Sequence, residues 1–279
     1  MSVTIHEIRE ATRELGLFDR PICVHSSLRS FGWVEGGART VIDGLLLEGC
    51  TVLVPTFSCH AFAIPPPAGM RPTRNAWDYG EPSCPRPGSG RVYTPEAMDI
   101  DDYMGAIPAA ILAIPGRVRG QHPLCSFTAV GPLASEMIAG QSPLDVFAPL
   151  KSLADMDGAV VLMGVGFGSM TLLHLAEQLA GRCMFRRWAN GPGYRPMQVD
   201  TGGCSQGFAR FEPILAPMMV ESKVGESLWR VLPAGAALSV ATKTIIEDPS
   251  ITRCDEVACN RCDDAIAGGP IMAADHINS

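Results

Sequence analysis

The stretch Ala159–Met163 (AVVLM) constrains this chain more than any other: it is wholly apolar, largely β-branched, and runs straight into Gly164-Val165-Gly166-Phe167-Gly168. So short a run without alternation fits a strand covered on both faces, the situation of an inner strand in a helix-layered sheet. A helix is predicted from about Thr171. Open α/β sheets place ligand sites beyond the carboxyl ends of their strands, so the segment after Met163 is where chemistry is expected.

Thr171, His174 and Glu177 are spaced i, i+3, i+6. On a helix they share a face, with adjacent pairs within reach. A carboxylate beside an imidazole holds one tautomer and raises its basicity, which suits a general base near neutral pH. The same pair also occurs on ordinary solvated helices, so spacing alone leaves both readings open.

Other segments fill in a layered fold. Thr4 and Glu7 have capping-box spacing ahead of a first helix. Residues 21–25 (PICVH) form a buried strand feeding the polar pair Ser26-Ser27, residues 38–48 a helix closed by Gly49, and residues 50–55 (CTVLVP) a second strand. This βαβ opening favours a parallel or mixed sheet. A strand is predicted over 126–130 and helices over 103–114, 132–138, 208–218 and 236–247.

Between Ser58 and Asp102 the pattern dissolves into prolines and glycines, with Pro65-Pro66-Pro67 at its centre. Long irregular loops in compact domains commonly build lids or binding surfaces. Trp77, Tyr79 and Tyr93 lie within it and favour packing over disorder. The expectation is one domain over residues 1–279, with 58–102 an irregular insert on the substrate side.

Charge and composition narrow the function. The formal net charge of -7 excludes the basic face a nucleic-acid partner would need. No stretch approaches the roughly 18 apolar residues of a membrane span, and Glu7, Arg9 and Glu10 break any secretory leader at the start. A soluble, cytoplasmic protein is expected, monomeric or homodimeric. The ten cysteines are scattered rather than framed for disulfides. Cys254, Cys259 and Cys262 form C-x4-C-x2-C, with Cys204 a possible fourth ligand. This departs from paired C-x2-C knuckles, so reduced thiols and no metal are expected, and a zinc-dependent hydrolase is the lesser alternative.

His122 precedes Pro123 at a loop-strand boundary and reads equally as a second active-site histidine or as a structural one bonding a nearby carbonyl. Gly164-x-Gly166-x-Gly168 has neither dinucleotide nor P-loop spacing, and no G-x-S-x-G elbow is present.

Read in order, the segments VHSSLRSFGWVEGGARTVIDGLL from Val24, VPTFS from Val54, Met104-Gly105, RGQHPLCSFTAVGPLA from Arg119, SPL from Ser142, GAVVLMGVGFGSMTLLHLAE from Gly158 and GGCSQGF from Gly202 resemble the aminoglycoside 3-N-acetyltransferase family. This family is distinct in fold from the GNAT acetyltransferases. The resemblance covers nearly the whole chain.

It implies an α/β fold, an αβα sandwich around a mixed, largely parallel sheet. It also implies acetyl-coenzyme A as co-substrate, no metal in the chemistry, and direct acetyl transfer to the 3-amino group of an aminoglycoside without an acyl-enzyme. His174 would be the base and Glu177 its orienting partner. Thr171 would sit near the thioester carbonyl, with His122 and Ser126 in the same pocket. Ser26, Ser27 and Leu28 would meet the pantetheine with Thr56 beside them, and Arg29, Arg39 or Arg119 the phosphates.

Two departures fall on the acceptor side. Arg119-Gly120-Gln121-His122-Pro123 lacks the serine of the family's R-S-x-H-P. The proline-rich loop is poor in acidic residues, leaving Asp78, Glu81 and Asp102 as the main candidates to grip a polycationic sugar. The alternatives are an N-acyltransferase for another small amine and a non-catalytic relative binding coenzyme A or an amine.

Overall fold

The computed structural model describes residues 2–77, 79 and 90–271. A seven-stranded sheet lies at its centre, in the order Val220–Val224, Ser227–Pro233, Ala159–Met163, Pro21–Ser26, Thr51–Pro55, Phe127–Val130, Val118–Arg119. The three inner strands pair parallel, Ile22 opposite Val52 and Ser26 opposite Met163, and antiparallel strands extend both edges. Inner position explains their composition, since a strand covered on both faces has no side to give to polar residues.

Alternate side chains feed two cores. Val161 and Met163 join Ile22, Val24, Val52 and Val54 under the helices Ile5–Glu14, Ala38–Leu47 and Ala106–Leu112. Val160 and Leu162 join Cys23, Leu53 and Phe127 under Ala148–Asp155, Leu172–Leu179 and Ala234–Glu247. The result is the expected three-layer αβα sandwich. Thr4 caps the first helix as its spacing predicts, accepting from the Glu7 amide while the Glu7 carboxylate accepts from the Thr4 amide. No described helix is long and apolar enough to cross a membrane.

Two hairpins were not predicted. Val220–Val224 and Ser227–Pro233 form one edge of the sheet, and Phe185–Asn190 pairs with Pro196–Thr201 outside it. The expected 208–218 helix is broken into the 3₁₀ turn Gln206–Phe211, the single α turn Glu212–Leu215 and a second 3₁₀ turn, Ala216–Met218. Pro213 and Pro217 remove amide donors that a continuous helix would need.

The described parts of the proline-rich segment are tied to this frame. Ser58 donates its amide to Leu124 and Asp101 to Phe57, Ala63 bridges to Ala189, and the Tyr93 hydroxyl donates to the Gly120 carbonyl at 2.7 Å. Asp78 and Glu81 lie outside the described residues.

Candidate active site

A cavity of about 510 Å³ opens at the carboxyl ends of the inner strands. Val24, His25 and Ser26 reach it from one strand and Pro55 from the next, and the loop after Met163 contributes Val165 and Gly168 to Thr171. The turn at Gly164 needs φ of +66°, and a Cβ there would fall 1.9 Å from the Ser30 hydroxyl. Only glycine lets the chain double back there and start the helix Leu172–Leu179 at the cavity rim.

His174 stands in the first turn of that helix, buried, with its ring on the cavity wall. Its Nδ1 lies 2.7 Å from Glu177 Oε2. Arg182 donates to Glu177 Oε1 at 2.5 Å and, through the same nitrogen, to the Thr252 hydroxyl at 2.8 Å. The carboxylate is thereby held from both sides, one oxygen for each partner. A carboxylate accepts hydrogen bonds, so in the neutral imidazole this pairing places the proton on Nδ1 and leaves the lone pair on Nε2.

The ring plane is fixed as well. Phe147 stacks on the imidazole at 5.9 Å and 12°, Phe208 packs obliquely at 4.7 Å, and Gly202 abuts it so closely that a Cβ would lie 2.7 Å from Cδ2. These three come from segments distant in sequence, which is why spacing could not reveal them.

The expected site residues separate into three groups. Thr171, His174 and Ser26 meet on the cavity, with Glu177 directly behind. The Ser26 hydroxyl is buried and, among the described residues, without a hydrogen-bond partner. Ser27 and Leu28 continue half-buried from that strand end, and Arg29 is exposed on the 3₁₀ turn Leu28–Phe31. Asp102 is exposed and off the cavity wall.

His122, Thr56, Ser126 and Arg119 are buried in the scaffold instead. His122 Nδ1 accepts from the amides of Leu124 and Cys125, and Nε2 donates to the Asp200 carbonyl at 2.8 Å. Burial pushes its pKa down to about 4. It is the structural histidine of the two readings, spending both nitrogens on backbone. Arg119 donates to the carbonyls of Thr56, Ala97 and Asp99 and to the Ser126 hydroxyl, anchoring the end of the proline-rich segment. With its donors turned inward it is not placed to meet coenzyme phosphates. Thr56 and Ser126 complete the same buried network.

Sequence reasoning missed other members of the wall. His25 lines it, with its pKa pushed down to about 4 by burial, so it is neutral at physiological pH. Trp77, Trp188, Phe57 and Tyr103 give it aromatic surface. Arg187 extends along it, part-exposed to the cavity but ringed by protein, with its guanidinium 4.6 Å over the Trp77 ring and its pKa lowered to about 10 by burial. Arg261 lies there too, and among the described lining residues none is Asp or Glu.

Comparison with known proteins shows the family and the fold. The family model for aminoglycoside 3-N-acetyltransferases matches residues 23–245. The chain belongs to that family. Aminoglycoside N(3)-acetyltransferase IX of Micromonospora chalcea is 34% identical over 185 residues, 64% of this chain and 63% of the relative, so the match spans less than two thirds of that protein's length. The fold is that of aminoglycoside acetyltransferase AAC(3)-IVa, with a TM-score of 0.76 at 22% identity over 96% of this chain and 98% of the other. It is also that of AAC-IIIb solved with CoASH, with a TM-score of 0.72 at 21% identity over 88% and 97%.

Proposed function

We propose that this family member transfers the acetyl group of acetyl-coenzyme A to an amine, the 3-amino group of an aminoglycoside, using His174 as general base. The observation that carries this reading is the His174–Glu177 pair at 2.7 Å on the wall of the cavity. An amine protonated at pH 7 cannot attack a thioester, so the protein must remove a proton and align the nitrogen. One proton of the ammonium is lost to solvent, Nε2 takes a second as the nitrogen attacks, and the Glu177 carboxylate stabilises the imidazolium that results. The nitrogen bonds to the thioester carbon, the carbon–sulfur bond breaks, and the proton on Nε2 passes to the leaving thiolate.

The remaining expected residues take roles by position. The Thr171 hydroxyl, one turn before His174, is the candidate donor to the carbonyl oxygen as charge develops there. Ser26, Ser27 and Leu28 at the strand end receive the pantetheine arm, and Arg29 is the exposed cation near that end for coenzyme phosphates. Direct transfer is favoured over an acyl-enzyme. Cys125 lines the cavity, but its hydrogen bond with Cys59 and its burial push the thiol well above the usual range, so it stays protonated and a poor nucleophile.

A second reading of the acceptor is favoured by the wall itself. Two arginines and a row of aromatic rings, with no carboxylate among the described lining residues, suit an amine with an apolar body and an anionic group better than a polycation. Thiol release should be followed with acetyl-coenzyme A against aminoglycosides and against aromatic amines bearing a carboxylate or phosphate. Turnover of aminoglycosides supports the first acceptor. Silence across them, with turnover of the anionic amines, replaces it, and silence in both sets removes the acetyltransferase reading.

A further inference from the structure

Cys204, Cys254, Cys259 and Cys262 converge although 50 residues separate the first from the second. Their sulfurs all lie within 4.8 Å of one another and all four side chains are buried. We propose that these four cysteines hold one zinc ion in a closed tetrathiolate site.

A tetrahedral ion with bonds of about 2.3 Å to sulfur sets the sulfurs roughly 3.8 Å apart, which the cluster approaches without rearrangement. Cys254 and Cys262 sulfurs are 3.5 Å apart, well beyond the roughly 2.05 Å of a disulfide. The Cys254 amide donates to the Cys262 sulfur at 3.4 Å, the kind of bond that orients a thiolate and offsets its charge. A cage this small takes a single ion, not a cluster of several irons.

The surrounding segment shows why an ion is needed. After Glu247 the chain makes the 3₁₀ turn Pro249–Thr252 and the two-turn helix Asn260–Ile266. The buried cysteines form an apolar cluster of their own, separate from both main cores. So short a segment lacks the apolar area to order itself, and metal-ligand bonds supply what a core would. Zinc here would depart from the expectation of reduced thiols without metal, drawn from the unusual C-x4-C-x2-C spacing. Cys204 arrives from a distant loop, which local spacing could not show. With four protein ligands no position stays open for water, so the ion is structural and the hydrolase alternative loses its basis.

The site also bears on the catalytic wall. Cys204 lies two residues after Gly202, which abuts His174, Thr252 holds Arg182 behind Glu177, and Arg261 reaches the cavity. Zinc would pin these three to one another, making the cysteines positioning residues.

The test is metal analysis of the full chain, purified without chelator and without a metal-affinity step. About one zinc per chain is expected, released as four thiols are titrated with an organomercurial. Growth with cobalt in place of zinc should give the intense visible bands of tetrahedral cobalt thiolate. Cys262→Ser should abolish those bands, whereas Cys50→Ser, at a buried cysteine remote from the cluster, should keep them. Sub-stoichiometric zinc, iron in its place, or disulfides among these cysteines in the native protein would overturn the site whether or not acetyl transfer is observed.

Discussion

Glu177 gives one carboxylate oxygen to His174 and the other to Arg182, so imidazole, carboxylate and guanidinium are locked into a single unit. Glu177→Gln keeps the volume but removes the charge that stabilises an imidazolium. We expect kcat to fall about 10²-fold with little change in KM for acetyl-coenzyme A, and His174→Ala to lose at least as much. The double variant should be scarcely worse than either single one, because both act on one proton transfer. Steady-state kinetics on all three checks this, and losses that multiply would show that the two side chains act separately.

Arg182 tests the same unit from behind. Arg182→Met leaves a buried carboxylate without its cation, which costs about 3–5 kcal/mol, whereas the paired change Arg182→Met with Glu177→Leu should recover much of that stability while remaining inactive. Urea unfolding of the two variants separates them. Equal stability would mean that the ion pair contributes little to the fold.

At Gly202 the backbone itself forms one side of the histidine slot. In Gly202→Ala the added methyl would sit 2.7 Å from Cδ2 of His174, with Phe147 stacked on the ring and Phe208 packed obliquely against it. The ring must shift, and the hydrogen bond to Glu177 must lengthen. A fall in kcat of about tenfold to a hundredfold is expected at near-native thermal stability. Unchanged kcat would mean that the slot is looser than it looks.

How far this site was legible in sequence depended on the range of the contacts. His174 and Glu177 share one helix with Thr171 at its N-cap, and the strand before them has no polar residue to blur its signal, so local pattern marked the segment while leaving a solvated face equally open. The capping box of Thr4 and Glu7 was readable for the same local reason. Arg182, Phe147, Phe208 and Gly202 reach the imidazole through tertiary packing and carry no periodic mark. His122 shows the converse, since its context invited catalysis while three backbone partners had already taken its nitrogens. The Val220–Val224 and Ser227–Pro233 hairpin did carry one local signal, the two-residue turn Gly225-Glu226 ahead of the β-prone run from Leu228 to Leu232, that could have been read. In Phe185–Asn190 two adjacent arginines conceal the alternation, because one pairs with Asp200 and the other lies over Trp77.

Arg187 offers a way to tell what the cavity admits. Arg187→Met removes the cation but keeps apolar contact with Trp77. If the acceptor carries an anionic group, its KM should rise about tenfold while that for acetyl-coenzyme A stays put, since a hydrogen bond to a charged group contributes roughly 1.5–3 kcal/mol. Aminoglycosides, if accepted at all, should bind as well or better. A rise in KM for acetyl-coenzyme A with every acceptor would instead assign Arg187 to the donor.

His122 ties the site's scaffold to pH. Its Nδ1 faces two amide donors, so a proton there would meet N–H groups with no acceptor, in a place already closed to water. Folded, it stays neutral down to about pH 4, whereas unfolded it titrates near its ordinary value of about 6.5. Below that value the unfolded chain takes up a proton the folded chain refuses. The contribution to stability is therefore complete above about 6.5 and drains away as pH falls toward 4, by up to roughly 1.4 kcal/mol per pH unit. His25, also held near 4, adds to the same slope. His122→Asn keeps an acceptor where Nδ1 stands and cannot titrate. It should be less stable at pH 7, by about 1–3 kcal/mol for the lost bond to the Asp200 carbonyl, yet lose less on moving to pH 5 than the parent does. Urea midpoints at the two values decide the matter. Parallel slopes would mean that His122 titrates in the fold as it does in the unfolded chain, its burial being incomplete.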